Sequence, residues 1–174
     1  MLLWPSRITG FSMASGFIEI RTPRDLLQAL TKAKKIEQAF EEVLHWQGFL
    51  TIRDSETGKL LGRLVRDSET HGRLVDSLIR MVEPFAPTPQ EMRIAPIVID
   101  GDDETQFLQR LLEAEDLAYY LYSAILDALE HRDLQSIGDE LNTKKYRQVL
   151  GQLVSAEREH RELVSQLLAA KSQS

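Results

Sequence analysis

Apolar residues recur every three to four positions along four long stretches of the chain, the period of a helix with one buried face. The first stretch opens at Thr22-Pro23-Arg24-Asp25. There Thr22 can cap a helix, Pro23 suits its first position, and Asp25 can answer the cap. The stripe Leu26, Leu30, Ala33, Ile36, Phe40, Val43, Leu44 and Gln47 predicts a helix continuing to about Ile52. The polar run Asp54-Ser55-Glu56-Thr57-Gly58 breaks it. A second stripe follows through Leu61, Leu64, Ser68, His71, Val75, Leu78 and Val82. A break this short predicts that the two helices are antiparallel neighbours.

From about Pro84 to Asp102 the period lapses. Four prolines (Pro84, Pro87, Pro89, Pro96) and Gly101 fall there, around an apolar run from Ile94 to Ile99. A helix of about 27 residues is about 40 Å long, and about 19 extended residues span roughly 60 Å. This connector can therefore return along a whole bundle. Asp102-Asp103-Glu104 then suits the start of a third helix, where acidic groups favour the helix dipole. Its stripe is Phe107, Leu108, Leu111, Glu115, Ala118, Tyr119, Tyr122, Ile125, Leu126 and Leu129. A polar loop containing Gly138 leads to Asn142 or Thr143 as the cap of a fourth helix. That helix carries Tyr146, Leu150, Leu153, Glu157, His160, Val164 and Leu167. The pattern predicts an all-α fold: an antiparallel four-helix bundle over residues 22–171, two hairpins joined by a crossover at about 84–102. Short tails, 1–21 and 172–174, lie outside it.

The second and fourth helices match at a constant offset. Leu61-Gly62 aligns with Leu150-Gly151, Leu64-Val65 with Leu153-Val154, His71 with His160, and Leu74-Val75 with Leu163-Val164. Leucines coincide cheaply, but neither glycine nor histidine is favoured inside a helix. The match predicts duplicated hairpins about a pseudo-two-fold axis, with the two histidines facing each other. Glu157 has Ser68, not a glutamate, as its counterpart. Asp67 and Glu69 flank that serine but point about 100° to either side and read as surface charges.

The composition narrows the chemistry. The 174 residues carry a net charge of −6 with both signs interspersed, so there is no basic footprint for nucleic acid. No run of 18 apolar residues suggests a membrane span. With no secretory core near Met1 or Met13, either of which suits as a start, a cytoplasmic protein is expected. Cysteine is absent, which excludes disulfides, thiolate metal sites and cysteine nucleophiles.

Six polar residues interrupt the inner stripes: Glu37, Ser68, His71, Glu115, Glu157 and His160, at least one from each helix. Buried carboxylates and imidazoles need compensation, and together they suit iron, manganese or zinc. The spacing Glu115-x-x-Ala118-x-x-x-Tyr122, followed by Glu157-x-x-His160, is similar to one half of the pattern of ferritin-like, rubrerythrin-like di-iron carboxylate bundles. The hairpin, crossover, hairpin order agrees over roughly residues 22 to 170. The resemblance implies Glu37 and Glu115 as terminal or bridging carboxylates, Glu157 as a bridge, and His71 and His160 as nitrogen ligands. It implies iron, as one ion or two, or manganese or zinc, with oxidase, peroxidase or iron-handling chemistry. No catalytic residue beyond the ligands is implied.

The first half departs from the family. Glu37 is followed by Phe40 and Leu44, and Ser68 stands where a bridging glutamate belongs, so a single metal, or a site completed by Asp67, stands beside the two-metal centre as an alternative. The cysteine-bound iron domain of rubrerythrins has no counterpart. Two other readings stay open. One is a non-catalytic bundle whose polar core fixes helix register and which serves oligomerisation or partner binding, with no metal. The other is haem held between His71 and His160, disfavoured by the adjacent carboxylates. A homodimer is the expected assembly, closed two-fold oligomers being commonest.

Overall fold

The structure, a computed structural model, describes residues 20–45, 48–52, 55–86, 97–130 and 143–172. Among these there is no strand. The long helices are α1 (Pro23–Glu41), α3 (Glu56–Val82), α4 (Glu104–Glu130) and α5 (Thr143–Lys171), and α2 (Phe49–Ile52) is a single turn. Residues 1–19 of the expected tail, the middle of the crossover, and the loop with Gly138, His131 and Asn142 lie outside the described residues.

The helix starts follow their caps. The Thr22 hydroxyl accepts from the Asp25 N–H at 3.2 Å, and the Asp25 carboxylate accepts from the Thr22 N–H at 2.9 Å. The Ser55 hydroxyl accepts from the Gly58 N–H, so α3 begins inside the polar run rather than after it. Asp103 accepts from the Gln106 N–H at 2.8 Å and orients the first turn of α4. The first helix is shorter than its stripe predicts. It ends at Glu41 and tightens into a 3-10 turn over Glu42–His45. The apolar period carries on because Val43 still reaches the core from that turn, and Phe49 and Ile52 pack against it from α2.

α1 packs chiefly on α3, and α4 on α5, giving two hairpins that meet along α1–α4 and α3–α5. Both hairpins are antiparallel. Lys34 pairs with Asp76 and Glu41 lies beside Gly72 in the first. In the second, Asp116 pairs with Arg161 and Glu104 with Lys171. The hydroxyl of Thr57, at the start of α3, donates to Glu104, at the start of α4. So α3 and α4 run parallel, and the chain leaves α3 at one end of the bundle and enters α4 at the other. It arrives through Ile99, which is buried, and Gly101, which lies on the first turn of α4.

The repeat is visible in burial. Leu61 and Leu150, Leu64 and Leu153, Val75 and Val164 are each buried in pairs. Burying a leucine or phenylalanine contributes about 1.5–3 kcal/mol, so these layers supply the driving force on either side of the polar positions. Ile20 also packs into this core, ahead of the first helix.

Candidate metal centre

Each inner polar residue sits one helical turn from apolar residues that face the core, and that register turns it inward. Glu37 follows Ala33 and precedes Phe40, and Glu115 lies between Leu111 and Ala118. His71 lies between Leu64 and Val75, and Glu157 and His160 between Leu153 and Val164. All these flanking residues are buried. Glu37, Ser68, Glu115 and Glu157 are at most 2% exposed, and His71 and His160 at most 7%. The structure thus brings together all five residues expected as ligands.

Glu157 lies at the middle. Its Oε1 is 2.8 Å from His71 Nδ1 and its Oε2 is 3.7 Å from His160 Nδ1. On the first side, Glu37 Oε2 lies 3.8 Å from His71 Nδ1. On the second, Glu115 Oε2 lies 3.5 Å from His160 Nδ1. The arrangement is two half-sites sharing one carboxylate. One atom each of His71, Glu157 and His160 lies within 4.8 Å of the others, a spacing that a single cation can fill.

These atoms face one another without satisfying one another. Glu37 Oε2, His71 Nδ1, Glu115 Oε2 and Glu157 Oε1 are buried with no hydrogen-bond partner. Even the close His71–Glu157 approach misses the ring N–H direction. An unpaired buried polar atom costs about 1–3 kcal/mol, so four around one point are unfavourable unless something else binds them. Carboxylate oxygens and imidazole nitrogens are the donors that iron, manganese and zinc take. The residues fit such an ion.

The electrostatics agree. Burial pushes the Glu37 carboxyl well above the usual carboxylate range, and the charge of Glu157 adds to it, against the hydrogen bond from Tyr122. Burial also raises Glu115, to about 8, against the pull of His160. Glu157 moves the other way: burial works to raise it, but His160, His71 and Glu115 outweigh that and hold it at about 2. Burial disfavours the charge of His160, yet Glu115 and Glu157 hold its proton up to about 11. Without a cation, burial favours the protonated forms of Glu37 and Glu115, Glu115 and Glu157 favour that of His160, and metal binding would release protons.

The histidine rings are stacked, 5.5 Å apart at 27°.

Two contacts lie outside the expected ligand set. Tyr122 is a core residue, and its hydroxyl donates to Glu37 Oε1 at 2.6 Å. Asp67, read as a surface charge, is half-exposed, but its Oδ2 lies 3.2 Å from His160 Nε2. The signal for Asp67 was its place one residue before the counterpart of Glu157. Glu69 is exposed, as expected. Among the described residues no helix is long and apolar enough to cross a membrane. The chain matches no protein-family model, no curated protein and no solved structure.

Proposed function

We propose that this protein is a metal-binding bundle of the ferritin-like kind, holding non-haem iron, or manganese or zinc, among Glu37, His71, Glu115, Glu157 and His160. The observation that carries the reading is the set of four buried ligand atoms gathered around Glu157 that make no well-directed hydrogen bond. When bound, iron would supply redox chemistry with dioxygen or peroxide, which fits an oxidase, a peroxidase or an iron-handling protein. The chain's own part is to hold three carboxylates and two imidazoles in place. Apolar layers on both sides restrict access of water. Tyr122 fixes one oxygen of Glu37 and leaves the other turned toward His71.

Elemental analysis of protein purified without added metal tests this, alongside the double variant Glu157→Ala, His160→Ala. Stoichiometric iron, manganese or zinc that vanishes in the variant supports the reading. A protein that is metal-free and stays empty on anaerobic Fe(II) titration sinks it.

One observation favours a second reading, a structural polar core in a non-catalytic bundle. Ser68 is buried where a second bridging carboxylate belongs. In that case the double variant loses stability with no metal involved.

A further inference from the structure

The two halves of the centre are related by the repeat, but they are not supported alike. His160 turns Nδ1 toward Glu115 and Glu157, and turns Nε2 toward Asp67 Oδ2, 3.2 Å away. Asp67 is itself held: Arg63 Nε lies 3.4 Å from the same oxygen, and Arg63 donates to Glu159 at 2.6 Å. A carboxylate on one ring nitrogen fixes the tautomer and orientation of a histidine whose other nitrogen binds a metal. At His71 both neighbouring carboxylates, Glu37 and Glu157, face Nδ1. The residue that the repeat puts opposite Asp67 is Ala156, which has no side-chain acceptor. The halves also differ in origin. Glu115, Glu157 and His160 all belong to the α4–α5 hairpin, whereas Glu37 and His71 come from the other hairpin and borrow Glu157.

We propose that the centre is built unequal: the Glu115–Glu157–His160 half is the tighter metal site, and Asp67 is the positioning residue that makes it so. This rests on the metal-binding reading above. Asp67 reaches across from α3 and holds His160 with Nε2–H outward and the Nδ1 lone pair inward. The serine beside it removes a bridging ligand, and Asp67 supplies orientation in its place. The Glu37–His71 half, lacking such a carboxylate, exchanges its metal more readily.

Anaerobic titration with Co(II), followed by absorption and by competition with a chelator, reads the two halves. His160→Ala is expected to abolish the tight step, and His71→Ala to keep it. Asp67→Ala is expected to weaken that step by about 10–100-fold, with Asp67→Glu restoring much of it and Glu69→Ala leaving it unchanged. Ala156→Asp is expected to tighten the weaker step. In the Zn(II) form, nitrogen-edited NMR should show the His160 Nε2–H protected from exchange in the wild type and exposed in Asp67→Ala, a change that a merely structural role would not produce. Equal losses in His71→Ala and His160→Ala, or an Asp67→Ala protein that titrates like the wild type, overturn the proposal and leave metal binding standing. A wild-type protein that takes up no Co(II) overturns both.

Discussion

Glu37 has one oxygen satisfied and one not, and the difference is Tyr122. Tyr122→Phe removes the donor and leaves the carboxyl buried without its partner. A loss of about 1–3 kcal/mol is expected, measured by urea denaturation of metal-free protein. The titrating groups give a second test. Glu115 has a folded pKa raised from 4.5 to about 8, so its contribution is fully present below 4.5 and is lost as pH rises through about 8. His160, raised from 6.5 to about 11, acts in the same direction at higher pH. Glu157, lowered to about 2, loses its contribution only as pH falls toward that value. The melting temperature of metal-free protein should therefore fall between pH 4.5 and about 8, and Glu115→Gln should flatten that fall. A melting temperature that rises across this window would contradict the assignment. The inward residues were legible in the sequence because register alone turns Glu37, Ser68, His71, Glu115, Glu157 and His160 to the core. Asp67 was legible only as a surface charge that could alternatively complete the site, because it lies at the border of its helix. Its contact with His160 depends on the placement of another helix.

At the scale of elements, the glycines that made the repeat noticeable have no packing reason to be there. A Cβ at Gly151 meets nothing within 4 Å, and one at Gly62 meets only the end of Arg66, at 3.8 Å. Gly62→Ala and Gly151→Ala should each stabilise the protein by about 0.5–1 kcal/mol, read from the denaturation midpoint. Gly101 is the opposite case. A Cβ there would lie 2.8 Å from Phe107 Cα and crowd the adjacent backbone. Gly101→Ala should destabilise by roughly 1–3 kcal/mol, since overpacking forces backbone shifts. The four long helices were readable from period and caps. The end of the first was not, because a 3-10 turn can keep Val43 in the core and hydrophobic period does not distinguish it from another helical turn.

Across the whole molecule, a cation that binds only the folded state adds about 2.7 kcal/mol of stability at a hundredfold excess over its Kd. Melting of wild-type protein should rise with added Zn(II), and Glu157→Ala, His160→Ala should show no such rise. Up to Asp67, every feature of the centre follows from two hairpins laid side by side. With Glu37 and His71 on one hairpin and Glu157 on the other, the first two reach Glu157 only when the hairpins are docked. The ligands of the Glu115 half all lie on one hairpin, with Asp67 alone reaching them from the other, whereas the Glu37 half exists only in the docked population. Its apparent affinity is diminished by the undocked fraction, so occupancy of that half becomes a gauge of how often the seam between the hairpins is closed.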